Sequence, residues 1–144
     1  MSGAQTKPVK NCILLVVENS NGKFFMKIEK STQYQSEIVK FLSHKKVCDK
    51  VFTQEDEQKL LKETVGLYFK NQVSTDRFEK INILSIENNV FHVYKAILKK
   101  HVNVIGSRIH LIDRKKLKGK NFIEVCNTPC LVTDSTKDII SMYN

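Results

Sequence analysis

The sequence is poor in the residues that break or disorder chains, with five glycines and two prolines among 144 residues. That scarcity excludes collagen-like repeats and low-complexity disorder. Long apolar runs are also lacking. The longest, Cys12 to Val17, spans six residues, against the roughly 20 that a membrane-spanning helix needs, so no membrane association is expected. The opening Met1-Ser-Gly-Ala-Gln-Thr-Lys7 has no apolar stretch of the secretory kind, which makes the expected location nuclear or cytoplasmic. Cysteine offers no metal framework. A structural zinc site presents two close pairs of Cys or His, and of Cys12, Cys48, Cys126 and Cys130 only the last two are close. Cys12 sits in an apolar run where a small hydrophobe belongs. No metal or other cofactor is expected, and without a secretory signal no disulfide either.

Negative charge is in deficit: 15 Asp and Glu stand against 24 Lys and Arg, a net charge of +9. The cations are scattered through Lys7/Lys10, His44-Lys45-Lys46, Lys99-Lys100-His101 and Arg114 to Lys120. Each cluster has two readings, a solvated surface that keeps the chain soluble or a surface that attracts phosphates by releasing their counterions. Taken together they make nucleic acid or a nucleotide the leading ligand class. Hydrophobic residues make up 41% of the chain, enough for one core. At roughly 100–200 residues per domain this is a single domain.

The pattern predicts mixed α/β structure. Cys12–Val17 and Lys23–Ile28 read as a hairpin, because Asn-Gly between two apolar runs supplies the residues a tight turn needs. Ile38–Leu42 reads as a short strand, followed by a polar, basic stretch over 43–50. A helix is predicted over about 54–65. Thr53 and Asp56 have capping-box spacing, Glu55, Asp56 and Glu57 suit the positive end of the helix dipole, and Gly66 stands where helices often end. A second hairpin is expected over 78–87 and 90–98, strands over 108–112 and 122–125, and a last helix over 136–143 capped by Asp134 or Ser135. Strands mixed with two helices in this way indicate one mixed α/β sandwich.

The segment from His44 to Leu67 resembles a Nudix box, whose pattern is Gly, five residues, Glu, seven residues, then Arg-Glu-U-x-Glu-Glu-x-Gly-U with U bulky and apolar. Laid without gaps, the first Gly falls on Lys45, the first Glu on Val51, and the core on Lys59-Leu-Leu-Lys-Glu-Thr-Val-Gly-Leu67. Lys59, Leu61, Glu63, Gly66 and Leu67 match or substitute conservatively. The resemblance implies an α/β/α Nudix sandwich with a mixed sheet over residues 8–144, behind a tail of residues 1–7. It also implies that the chemistry is gone. Nudix hydrolases cleave linked diphosphates with Mg²⁺ held by glutamates of the box helix, and Mg²⁺ demands several hard oxygen ligands. Val51, Leu60 and Thr64 replace three of those acids, and Glu63 alone is kept. Its bland reading is a surface pair with Lys59 or Lys62. No hydrolysis is expected.

Among degenerate Nudix families the chain is most similar to the small subunits of pre-mRNA cleavage factor I. Lys59-Leu-Leu-Lys-Glu-Thr-Val-Gly66, the opening Val9-Lys-Asn-Cys-Ile-Leu-Leu-Val-Val-Glu18 and the ending Ile139-Ile-Ser-Met-Tyr-Asn144 carry the likeness. The resemblance implies a nuclear, homodimeric RNA-binding protein that joins a larger protein partner in mRNA 3′-end processing. RNA would meet Lys7 before the first strand, Phe41 and Leu42 ahead of the box, and Lys45 and Lys46 in place of the family's glycines. Phe41 is either a stacking platform or core; Lys45 and Lys46 either contact phosphate or are solvated. An alternative is a structural protein of a ribosome or another large ribonucleoprotein, located in the cytoplasm or on the ribosome. Weaker alternatives are a nucleotide held in the old substrate cleft, or a divergent hydrolase with relocated ligands at Glu55, Asp56, Glu57 and Glu63.

Overall fold

The computed structural model describes residues 9–48, 51–86 and 88–142. The apolar run opens the fold as β1 (Val9–Asn19), which pairs in parallel with β5 (Asn89–Leu98) along its length and antiparallel with β3 (Ser36–Cys48) through its first half. Packing on both faces of the sheet explains why Cys12–Val17 are apolar without alternation: Ile13, Leu15 and Val17 enter one core, Leu14 and Val16 the other, and none of the six is more than 8% exposed. β1 turns at Asn19–Gly22, where Gly22 takes φ +76° and the Asn19 Oδ1 accepts from the amides of Asn21 and Lys23. The chain returns as β2 (Lys23–Ser31), which pairs with the first half of β3.

β4 (Glu79–Ile86) flanks β5, β6 (Ile109–Asp113) flanks β2, and the hairpin of β7 (Phe122–Val125) and β8 (Thr128–Val132) joins β3 through a parallel β8 pairing. Parallel and antiparallel pairs in one sheet make it mixed. Helix α1 (Gln54–Phe69) covers one face, packing on Ile13, Leu15, Val17 and Leu42. The short α2 (Arg114–Leu117) and α3 (Asp134–Ser141) cover the other, packing on Leu14, Val16, Phe24 and Phe41. One α/β domain of three layers results.

Four expectations need correction. The basic stretch after Leu42 is strand, not loop: β3 runs on to Cys48 because its backbone pairs with Val9–Leu15. Helix α1 runs past Gly66 to Phe69, since Tyr68 and Phe69 continue its buried stripe and the Tyr68 hydroxyl donates to the Ser43 carbonyl at 2.7 Å. The cap of α3 is Thr133, whose hydroxyl accepts from the Thr136 amide, and not Asp134 or Ser135. β8 escaped the pattern because Pro129 sits inside it. Its ring nitrogen falls at a position that makes no bond to β7, where a strand tolerates proline.

Gly66 is a free substitution site. A Cβ there would meet nothing within 4 Å, and the residue lies in mid-helix without a positive φ. Gly66→Ala is expected to raise stability by roughly 0.5–1 kcal/mol, read as a higher urea midpoint with unchanged slope.

Candidate functional site

Helix α1 is built from its cap inward. Thr53 and Asp56 close a reciprocal capping box: the Asp56 amide donates to Thr53 Oγ1 at 3.1 Å and the Thr53 amide donates to Asp56 Oδ2 at 3.0 Å. These Thr53 hydrogen bonds, with Lys59 and Lys46 nearby, hold the Asp56 carboxyl below its usual range. From this cap the stripe Glu57, Leu60, Leu61, Thr64, Val65, Tyr68, Phe69 faces the sheet, the i, i+3, i+4, i+7 spacing of an amphipathic helix.

The box positions are therefore divided by the helix's own phase. Leu60 is 1% exposed and Thr64 is fully buried, its hydroxyl donating to the Leu60 carbonyl at 2.6 Å. Val51 is 86% exposed and offers no oxygen from its side chain. Glu63 points outward, and its carboxylate lies 3.9 Å from His44 Nε2 of β3, rather than against Lys59 or Lys62 on its own helix. Glu55, Asp56, Glu57 and Glu63 do not converge, and no group of three or more His, Cys, Asp or Glu able to hold a metal exists among the described residues. The donor set does not fit Mg²⁺.

Lys46 and Lys59 stand near the start of α1, close to Asp56. Side chains alternate along β3, so the sequel of Leu42 on the α1 face is His44 and then Lys46, while Lys45 follows Phe41 onto the α3 face. Both lysines are exposed. They were expected to act together, and the strand separates them. Lys40, on the α1 face, pairs with Glu29 at 2.7 Å. Phe41 and Leu42 are no RNA platform: Phe41 is 1% exposed and meets the Phe24 ring edge-on at 5.4 Å, and Leu42 is fully buried under α1. At 41 and 42 the strand is covered on both faces, so neither side chain reaches solvent. Lys7 lies outside the described residues.

The pattern missed a buried polar network at the start of α1. Glu57 is 8% exposed. Its Oε2 accepts from Lys80 of β4 at 2.8 Å and from the Tyr94 hydroxyl of β5, and its Oε1 lies 3.4 Å from His92 Nδ1. The other ring nitrogen of His92 lies 3.1 Å from Asn11 Oδ1 of β1, and Phe52 lies against the ring with centroids 5.5 Å apart. Burial pulls the Glu57 carboxyl upward, but the Lys80 and Tyr94 hydrogen bonds and the His92 contact outweigh it and hold it below its usual value. Burial, reinforced by Lys80 against the pull of Glu57, keeps His92 below its ordinary value. Burial and the Glu57 hydrogen bond push the Tyr94 hydroxyl far up. The signal was present in the helical phase: Glu57 stands three and four residues before Leu60 and Leu61, on the inward stripe.

No family model matches the sequence, and no curated protein matches it. Solved structures do. The C-terminal domain of mouse MUTYH, solved in complex with human PCNA, is 14% identical with a TM-score of 0.63, covering 93% of this chain and 86% of that one. The MutT protein of Methanosarcina mazei is 10% identical with a TM-score of 0.58, covering 97% of this chain and 96% of its own. A Nudix-family hydrolase of Clostridium perfringens is 8% identical with a TM-score of 0.56, covering 93% and 94%. The chain has the Nudix fold. In this Nudix-fold domain helix α1 buries Leu60 and Thr64 and carries the salt-linked Glu57 one turn nearer its start.

Proposed function

We propose that the chain is a non-hydrolysing Nudix-fold protein that binds RNA through its phosphates, along the surface where α1 meets the end of β3. The observation that carries this reading is the charge beside α1. Where a hydrolase sets carboxylates around Mg²⁺, this chain buries Leu60 and Thr64 and holds Lys46 and Lys59 on the flank near Asp56. Lysine ammonium groups on a surface of net charge +9 suit a polyphosphate backbone without any metal. The resemblance to cleavage factor I subunits extends the proposal to a nuclear subunit of an mRNA 3′-end processing assembly with a larger protein partner. A second reading, a structural component of a ribosome or similar particle, is favoured by the burial of Phe41 and Leu42. Those residues leave no stacking surface for reading bases there, and sequence-blind phosphate contact is what a scaffold needs.

The test is an anisotropy titration of the chain with short single-stranded RNAs at about 50 and 200 mM salt, with a Mg²⁺-dependent nucleotide-hydrolysis assay on the same preparation. Salt-sensitive binding without turnover is expected; metal-dependent turnover would overturn the reading. The split of the two lysines sharpens it. Lys46→Ala is expected to weaken binding and lower the log–log salt slope by about one, while Lys45→Ala, on the opposite face, leaves both unchanged. Equal effects from the two variants would remove this surface from the RNA site.

A further inference from the structure

β6 is an edge strand. Its pairing with β2 places Ile28 opposite Arg108, Met26 opposite His110 and Phe24 opposite Ile112, and the Ile28 amide donates to the Arg108 carbonyl at 2.9 Å. In an antiparallel ladder the bonded pairs alternate, so the backbone groups of His110 and Ile112 face β2 and those of Ile109, Leu111 and Asp113 face away from it. No strand pairs with that outer side among the described residues. β7 is a second edge of the same kind. The Val132 amide donates to the Asn121 carbonyl at 2.8 Å, which by the same alternation turns the backbone of Phe122 and Glu124 away from β8.

The sheet curls until these two edges flank one cleft of about 310 Å³, with Leu111, Ile112 and Asp113 on one wall and Ile123, Glu124 and Val125 on the other. Cys126 Sγ stands 4.0 Å from His110 Nδ1 across it. Leu111 is 46% exposed and Phe122 57%, so each edge also offers an apolar side chain. On the α1 face of β6 a second concavity of about 370 Å³, lined by Phe25, Val102, Ile109 and Leu111, gives alternate residues of an added strand a socket on each side. The rim is positive on balance. Lys23 and Lys116 line the cleft with Asp113 and Glu124, and Arg114 and Lys115 directly follow Asp113 in α2. Asp113 is engaged as the cap of α2, its Oδ1 accepting from the Lys115 amide at 2.9 Å.

We infer that the open edge of β6 binds an extended acidic segment of a partner protein, which adds as a strand in the cleft between β6 and β7. Main-chain hydrogen bonds to the outward groups of Leu111 supply affinity, alternate side chains enter the two concavities, and the cations set the preference for acid. This does not depend on the RNA reading, which concerns the surface where α1 meets the end of β3.

The probe is a fluorescein-labelled octapeptide alternating Glu and Val, titrated into the full chain, with amide exchange followed by NMR. Saturable binding with protection of the Leu111 amide is expected. A peptide alternating Glu and Pro, equal in charge but without alternate amide donors, is expected to bind about 10-fold more weakly or not at all. Leu111→Pro removes an outward N–H and no bond to β2, a place where an edge strand accepts proline; it is expected to weaken the Glu-Val peptide about 10-fold. A Lys115→Glu/Lys116→Glu variant should bind more weakly and with less salt dependence. Equal affinity for both peptides, or protection that skips Leu111, would overturn the proposal. So would protection of Leu111 that rises with protein concentration alone, which marks a second copy as the occupant, or that follows addition of oligouridine, which marks RNA.

Discussion

Leu60→Glu, the change that restores the box's first helical acid, is expected to destabilise the chain by roughly 3–5 kcal/mol and to confer no hydrolysis. Leu60 is 1% exposed and packs with Leu61, Val65 and Phe69 against β1 and β3. Losing a buried leucine costs roughly 2–5 kcal/mol when it is cut to alanine. A carboxylate in its place must also leave water, shift its pKa or drag the helix outward, each of which adds to the loss. Thr64→Glu fails for the same reason, since Thr64 is fully buried and its hydroxyl is spent on the Leu60 carbonyl. Urea unfolding of the single and double variants, with a Mg²⁺-dependent hydrolysis assay, measures both halves. A variant that stays within about 1 kcal/mol of the parent and turns over nucleotide would show that the helix can re-aim these positions at solvent.

The second large effect concerns Glu57. Replacing one member of a buried pair strands the other, at roughly 3–5 kcal/mol in well-buried cases. Lys80 keeps 31% of its side chain exposed, which puts the loss for Glu57→Ala near the lower end, about 3 kcal/mol. Tyr94 and His92 lose a partner in the same step. The pH dependence follows with a definite sign. His92 in the unfolded chain takes a proton near its ordinary value of 6.5, while in the fold burial keeps it neutral to lower pH. The unfolded state therefore binds more protons, and stability falls as pH drops below about 6.5. Glu57, held below its ordinary value of 4.5, contributes stability that is present above 4.5 and lost as pH falls through its folded value. The two act in the same direction, so the urea midpoint is expected to fall steadily from pH 7 toward pH 4. His92→Gln, which keeps an amide for Asn11 and cannot titrate, should flatten the fall between pH 5 and 6.5. An unchanged slope in that variant would move the pH sensitivity elsewhere.

The helix shows how far a single sequence reaches. Its start was legible because the cap is local: Thr53 and Asp56 touch each other whatever the rest of the chain does. Its end was not, because Gly66 is a local stop signal that the distant packing of Phe69 in the core and the bond from Tyr68 to Ser43 override. The same division separates the candidate site residues. That Leu60 and Thr64 carry no acid is written in the sequence. That Glu57 is an inward acid was readable from the helical phase, but its partners Lys80, His92 and Tyr94 come from strands more than twenty residues away.

Charge, the turn at Asn19–Gly22, the capped start of α1 and the lack of acid at Leu60 and Thr64 belong to the sequence alone, because each depends on neighbours within one turn. Which face a strand residue presents depends on register, and register is a long-range quantity. Phe41 was open between platform and core until its register opposite Met26 set it on the α3 face, where it packs against Phe24. Lys45 and Lys46, adjacent in sequence, became residues of opposite faces once 43–48 paired as strand. The cleft between β6 and β7 has no sequence signature at all, since two edges far apart in strand order meet only through the curl of the sheet between them.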